Sequence, residues 1–124
     1  MGLSPKERLL KVLKKEKVDR PPVICPGGMM SSAIVEIMEK TGHTWPAAHS
    51  DATIMAALAE AVYEHTGFEN LGVPYCMTVE AEVLGSKINF GDLICEPKIE
   101  KEAFASVAQV EYGNLEQKIE GGRI

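Results

Sequence analysis

The densest group of chemically capable side chains lies in one short stretch of the sequence. Tyr75, Cys76 and Met77 place a phenol, a thiol and a thioether in a row, and the carboxylates of Glu80 and Glu82 follow within the next helical turn. Carboxylates so placed can position a substrate or pair with a basic group, and an exposed thiol near a helix N-terminus can be reactive. The alternatives are surface carboxylates and a buried structural cysteine. We predict that these five residues contact a substrate and assign none of them a catalytic role.

Histidine and cysteine are too scattered to predict a metal site. The three cysteines lie at positions 25, 76 and 95, and no histidine lies three or four residues from another histidine or a cysteine. Structural zinc sites use closely spaced pairs of such ligands. We therefore predict neither a metal site nor a disulfide framework within this chain. His49 precedes the start of a predicted helix. We predict that it orients the adjacent loop, and we include it among the candidate substrate-binding residues.

Composition restricts the class of protein. The chain has 124 residues, of which 45% are hydrophobic and 25% are charged, as in ordinary globular proteins. No apolar run is long enough to span a membrane or to form the core of a signal peptide, so we expect a cytoplasmic protein without a membrane anchor. Residues 1–20 carry a net charge of +4 and residues 21–124 carry −9. The acidic body argues against a nucleic-acid partner.

The sequence contains clear signals for where helices begin and end. Ser4 with Pro5 and Glu7 predicts the start of a helix over residues 4–18, which the prolines at 21 and 22 terminate. Thr41-Gly42 and Thr66-Gly67 end two further helices with the same cap chemistry. The remaining predicted elements are a first strand at 22–26, helices within 31–66, a second strand at 69–74, a small hairpin around Gly91-Asp92 with arms at 87–90 and 93–96, a helix signal over 103–110 and a poorly defined tail at 105–124.

The order of these elements predicts an α/β fold with two parallel core strands. Strands that alternate with helices are typical of parallel sheets, whose two faces both need cover. Two strands cannot make such a sheet alone. The sequence therefore predicts either a chain that self-associates or part of a larger barrel.

Several motifs resemble the uroporphyrinogen decarboxylase superfamily, and among its branches the methylcobamide:coenzyme M methyltransferases. The resemblance runs from about residue 4 to residue 100. It rests on Ser4-Pro-Lys-Glu-Arg-Leu9, Val18-Asp-Arg-Pro-Pro-Val23, Glu36-Ile-Met-Glu-Lys-Thr-Gly42, Trp45-Pro-Ala-Ala-His-Ser-Asp51, Gly67-Phe68 and Val73-Pro-Tyr-Cys-Met-Thr-Val-Glu-Ala-Glu-Val-Leu-Gly85.

The resemblance implies that residues 1–124 are the N-terminal portion of an incomplete (β/α)8 TIM barrel, a fold that takes about 250 residues. In the methyltransferase branch it implies zinc, held by a His-x-Cys motif and a further cysteine, and a corrinoid carried on a partner protein. No His-x-Cys occurs in this sequence. Met29 and Met77 are candidates to line an apolar pocket for the flat corrinoid, although methionines more often fill cores.

Three functional hypotheses follow. The first is the N-terminal fragment of a cobamide-dependent methyltransferase that transfers a methyl group to a thiol such as coenzyme M, inactive alone. The second is a short non-catalytic module that binds partners as an oligomer. The third is a uroporphyrinogen decarboxylase-like activity. The resemblance implies, for that branch, an arginine-rich segment after the first strand to bind the carboxylates of the porphyrinogen, and the absence of arginine from residues 27–32 argues against it.

Overall fold

The structure, a computed structural model, describes residues 2–25, 35–73, 76–110 and 115–120. Its helices are α1 (Pro5–Leu13), α2 (Val35–Thr41), α3 (Ala52–His65), α4 (Val79–Val83) and α5 (Leu115–Glu120), with 3-10 turns at Ala47–His49 and Val107–Gln109. The strands are β1 (Lys87–Asn89) and β2 (Lys98–Lys101). None of the helices within the described ranges is long and apolar enough to cross a membrane.

The first helix begins as predicted and ends early. The hydroxyl of Ser4 accepts from the backbone N–H of Glu7 (3.3 Å), and the Glu7 carboxylate accepts from the backbone N–H of Ser4 (2.9 Å). The helix ends at Leu13 rather than at residue 18, because Lys15 takes a left-handed backbone conformation (φ 60°). Local capping thus fixes the start of α1, whereas the charged run at 14–17 does not continue it.

Two helices end with the same threonine geometry. The Thr41 hydroxyl donates to the carbonyl of Ile37 (2.8 Å) and accepts from the backbone N–H of His43 (3.4 Å). The Thr66 hydroxyl donates to the carbonyl of Val62 (2.6 Å) and accepts from the N–H of Phe68 (3.1 Å). In both cases the threonine side chain satisfies a helix carbonyl, so the two predicted helix ends are confirmed. The shared group is the threonine hydroxyl, because of the two glycines only Gly42 takes the left-handed conformation of a glycine cap (φ 76°).

The hydrophobic core lies between α2, the 3-10 turn at Ala47–His49 and α3. Met38 on α2 and Leu58 on α3 are fully buried, and the indole of Trp45 packs with them. The carboxylate of Asp51 starts α3 by accepting from the backbone N–H groups of Thr53 (2.8 Å) and Ile54 (3.0 Å). The full set of core residues is Ile37, Met38, Trp45, Ala48, Met55, Leu58, Ala59, Ala61 and Val62.

The predicted pair of parallel core strands is the first correction. Residues 22–25 and 69–73 lie side by side, yet neither segment is a strand over its described residues; positions 26 and 74 fall outside them. One backbone bond joins them, from the N–H of Glu69 to the carbonyl of Val23 (2.7 Å). The Asn70 side chain occupies both polar groups of Cys25, accepting from its N–H (2.8 Å) and donating to its C=O (2.7 Å). Side chains therefore take the backbone groups that a strand ladder would use.

The hairpin exists with a different second arm. β1 pairs antiparallel with β2, with Ile88 opposite Ile99, so the second strand is not at 93–96. The Asp92 carboxylate accepts from the N–H groups of Ile94 (2.9 Å) and Cys95 (2.8 Å), which folds that stretch into a turn. Gly91 has φ 72°, and a Cβ there would collide with the Cys95 carbonyl. The chain reaches the second strand only after this turn.

The predicted helix over 103–110 is reduced to the 3-10 turn at Val107–Gln109. In the predicted poorly defined tail, α5 is a short helix, while residues 111–114 and 121–124 lie outside the described part of the chain.

Candidate functional site

Cys76 and Met77 are neighbours in the chain but differ in how exposed their side chains are. Cys76 is buried, and its Sγ lies 2.8 Å from the hydroxyl oxygen of Thr78, which is buried as well. Met77 is 73% exposed. A substrate at this surface would touch the thioether of Met77, whereas the thiol of Cys76 lies behind it. Tyr75, the first residue of the predicted set, lies outside the described residues, as does Met29.

The two carboxylates lie on one short helix. Thr78 precedes α4, and its carbonyl accepts from the backbone N–H of Glu82 (2.9 Å). Glu80 is exposed and Glu82 is half-buried. Glu80 is therefore the carboxylate of this pair that a ligand or a cationic side chain can reach directly.

His49 lies in the interior of the protein. Its side chain is fully buried, and its ring centroid is 5.0 Å from that of Trp45 at an interplanar angle of 32°. Because the 3-10 turn at Ala47–His49 packs against α3, the ring is held in the core beside Trp45. Burial of this kind suits a residue that fixes the turn before α3 better than one that contacts a diffusing substrate.

A cluster of charged residues that the sequence motifs did not point to joins α1 to the segments at 22–25 and 69–73. Arg8 is 4% exposed and binds Asp19 in a bidentate pair, with Nε–Oδ1 at 2.8 Å and Nη2–Oδ2 at 2.9 Å. Its Nη1 donates to Glu69, and its Nη2 donates to the carbonyl of Leu3 (2.6 Å). Arg20 donates to both carboxylate oxygens of Glu69, with Nη2–Oε1 at 2.6 Å and Nη1–Oε2 at 3.1 Å, so Oε1 is shared with Arg8. We call Arg8, Asp19, Arg20 and Glu69 the arginine cluster.

The arginine cluster shifts the titration of its own members. Hydrogen bonds from the Arg8 guanidinium, with a further bond from the backbone of Arg20, hold the pKa of Asp19 well below its usual range. The pKa of Glu69 is lowered by Arg20 and by the N–H of Val23, which donates to its carboxylate at 2.8 Å. The pKa of Arg8 is raised, chiefly by its hydrogen bonds to Asp19. Both carboxylates are therefore ionised at neutral pH.

The arginine cluster positions two segments of the chain against each other. Glu69 binds Arg8 and Arg20 while its backbone contacts Val23, so the cluster fixes how the segment at 22–25 lies against the segment at 69–73. The sequence does contain a hint of the arginine cluster, because Asp19 and Arg20 stand just before two prolines and Arg8 lies in the first helix. This hint is hard to recognise among the seven basic residues of 1–20, because basic residues on a short helix usually face solvent.

The described residues do not provide a zinc site. Among residues 2–25, 35–73, 76–110 and 115–120, no three His, Cys, Asp or Glu side chains are grouped so that they could hold a metal ion. A tetrahedral zinc site needs at least three protein ligands. The donors on this part of the chain therefore do not fit the zinc that the resemblance implies.

Comparison with known proteins identifies relatives. The chain is 44% identical over 108 residues to the methylcobamide:CoM methyltransferase MtbA of Methanosarcina acetivorans, a match that covers 87% of this chain and 31% of the relative. It is 42% identical over 94 residues to the methylcobamide:CoM methyltransferase MtaA of Methanosarcina barkeri, covering 76% of this chain and 27% of the relative. The chain thus spans less than a third of the length of these relatives.

A solved structure and a family model agree with this comparison. A methyltransferase from Methanosarcina mazei superimposes with a TM-score of 0.70 at 39% identity, covering 80% of this chain and 28% of that one. The model of the uroporphyrinogen decarboxylase (URO-D) family matches residues 4–123. The resemblance drawn from the sequence motifs is confirmed, and the chain belongs to the uroporphyrinogen decarboxylase family.

Proposed function

We propose that this chain is the N-terminal portion of a cobamide-dependent methyltransferase barrel, which transfers a methyl group from a methylated corrinoid protein to a thiol such as coenzyme M. The observation that carries the proposal is the 44% identity over 108 residues to MtbA of M. acetivorans. The arginine cluster supports it, because it holds together the two segments that would become neighbouring strands of a barrel. A corrinoid protein is accordingly the partner proposed for the complete fold.

We further propose that the 124 residues alone do not catalyse methyl transfer. The proposed reaction uses zinc to bind the acceptor thiol. The sequence has no His-x-Cys motif, and the described residues hold no group of three metal-binding side chains. The remaining part of the barrel would then supply the zinc ligands.

A chimera tests both statements. The chain is assayed alone, and again after fusion to the part of the M. acetivorans relative that lies beyond the matched region. Methylcobalamin is the methyl donor, coenzyme M is the acceptor, and zinc is present in both assays. We expect activity from the chimera and none from the chain alone. Methyl transfer by the isolated chain, or a folded, zinc-loaded chimera without activity, would contradict the proposal. The intact relative is the positive control.

The candidate substrate-binding residues remain part of this proposal, in two roles. Met29, Tyr75, Met77, Glu80 and Glu82 are proposed as direct contacts, whereas the buried His49 and Cys76 are proposed to hold the neighbouring loops in place. Glu80 is the strongest of them because its carboxylate is exposed on α4. In the chimera we expect Glu80→Gln to raise the KM for the thiol or the corrinoid about tenfold, while Glu36→Gln, an exposed carboxylate on α2, changes neither. Equal kinetics for both variants would remove Glu80 from the site.

One observation favours a second candidate, a non-catalytic module that associates with partners. Several large apolar side chains are exposed, among them Leu13 (70%), Leu71 (59%) and Ile94 (74%). Apolar surface of this extent marks an interaction face or a face that the rest of a larger fold covers. The chimera separates the two candidates, since a purely associating module would not support methyl transfer when joined to the relative's remainder.

A further inference from the structure

The segments at 22–25 and 69–73 carry apolar side chains that the described fold leaves uncovered. Four of these side chains are between 42% and 59% exposed: Val23, Ile24, Leu71 and Val73. Across both segments Cys25 alone is buried. The hydrophobic core lies elsewhere in the described part of the chain, between α2 and α3. The two segments therefore present an apolar surface that a second body can cover.

The segment at 22–25 also has a free backbone edge. Val23 and Cys25 each direct both backbone groups, the N–H and the C=O, to residues 69 and 70. Alternate residues thus face the same neighbour, as they do along a strand, and the residue between them faces the other way. Ile24 is that residue, and its N–H and C=O make no hydrogen bond within the described part of the chain. A free N–H beside a free C=O allows a strand of another chain to be added there.

The arginine cluster holds this surface in place. Arg8 and Arg20 both bind Glu69, whose carboxylate in turn accepts from the N–H of Val23 (2.8 Å). Arg8 is only 4% exposed, so its bonds are shielded from water. The two segments are therefore fixed side by side within the chain itself. A partner that docks on them loses little conformational entropy in ordering this part of the interface.

We propose that a second polypeptide, which carries the rest of the barrel, docks on this surface without a covalent link and adds a parallel strand along Ile24. The inference rests on the proposed function, because it takes the partner from the same barrel. A barrel closes only when its first strand pairs with its last, and the segment at 22–25 would be the first strand. The match to the M. acetivorans relative covers 31% of that protein. The rest is large enough to bury the roughly 800 Å² per partner of a stable interface.

A second copy of this chain fits the free edge less well. Prolines at positions 21, 22 and 26 bracket the segment, and proline has no N–H to donate. Two copies paired edge to edge would share about two backbone hydrogen bonds, those between the two Ile24 residues. The rest of a barrel brings a longer strand together with the interior side chains of its neighbours. It can therefore cover the apolar side chains of both segments at once.

Co-expression tests the docking separately from the chemistry. The tagged chain is co-expressed with the part of the M. acetivorans relative that lies beyond the matched region, made as a separate polypeptide. We expect the two to purify together as an equimolar complex, measured by native mass spectrometry. A remainder that stays insoluble or unbound, while the covalent chimera folds and transfers methyl groups, would overturn the docking and leave the proposed function standing. An equimolar complex beside a folded, zinc-loaded but inactive chimera would support the docking and refute the function.

Two substitutions locate the contact. Ile24→Pro removes the free N–H without breaking a hydrogen bond within the described part of the chain, and Leu71→Asp places a charge on the apolar surface. Each should lower the amount of remainder retained by the tagged chain about tenfold. Val107→Asp, at a position that is 85% exposed outside both segments, should leave it unchanged. Circular dichroism of each chain alone checks folding, and Leu71→Asp decides if Ile24→Pro does not fold. Unchanged retention by the folded variants, or a wild-type homodimer that Ile24→Pro dissociates, would refute the proposal.

Discussion

At the scale of single residues, the three cysteines differ in access. Cys25 and Cys76 are buried, and Cys95 is exposed on the turn between the two strands. Thiol reagents attack exposed thiols first, so we expect one thiol per native chain to react rapidly with a disulfide reagent and the other two to react at least about tenfold more slowly. Cys95→Ser should abolish the fast phase, and Cys76→Ser should leave it intact. A fast phase that survives Cys95→Ser would contradict the burial of the other two.

At the scale of elements, the arginine cluster connects α1 to the segments at 22–25 and 69–73, and its geometry is specific to a guanidinium. Arg8 makes two parallel bonds to Asp19 and further bonds to Glu69 and to Leu3. A lysine keeps the charge but cannot reproduce this fork. We expect Arg8→Lys to lower the Tm at pH 7 by roughly 5 °C, measured by calorimetry. The control Lys17→Arg, a basic exchange on the exposed linker, should leave the Tm unchanged.

The same elements make the chain sensitive to acid. The pKa values of Asp19 and Glu69 are lowered in the folded state, so the unfolded chain binds protons at a higher pH than the folded chain does. The stability from these carboxylates is therefore present above their ordinary pKa of about 4 and is lost as the pH falls below it. We expect the urea midpoint to drop between pH 5 and pH 3, measured by fluorescence, and to drop less for Asp19→Asn. Equal pH slopes would count against this account.

At the scale of the whole molecule, one small core holds α2, the 3-10 turn at Ala47–His49 and α3 together. Leu58 is fully buried between α2 and α3, so Leu58→Ala should lower the free energy of unfolding by about 3 kcal/mol. Leu84→Ala, the same change at a position that is 40% exposed, should cost less than about 1 kcal/mol. Urea denaturation of both variants at pH 7 measures the difference, and equal losses would place the core elsewhere.

The sequence by itself determined the features that depend on neighbouring residues. The start of α1 at Ser4 and Glu7 and the threonine ends of two helices rest on hydrogen bonds that span at most four residues. Such contacts form wherever the local residues are present, so the pattern predicts them. The family could be recognised for a related reason, because its motifs are short runs that can be read directly.

Only the tertiary structure decided the features that depend on distant partners. Arg8 reaches Glu69 across 61 residues, and Asn70 reaches Cys25 across 45. Hydropathy predicted strands at 22–26 and 69–74, which the structure does not form over 22–25 and 69–73, because side chains and not a strand ladder satisfy part of the backbone there. The turn at Asp92 likewise places the second strand of the hairpin at 98–101 and not at 93–96. In each case a polar side chain competes with the backbone for the same donor or acceptor, and the folded arrangement decides which one binds.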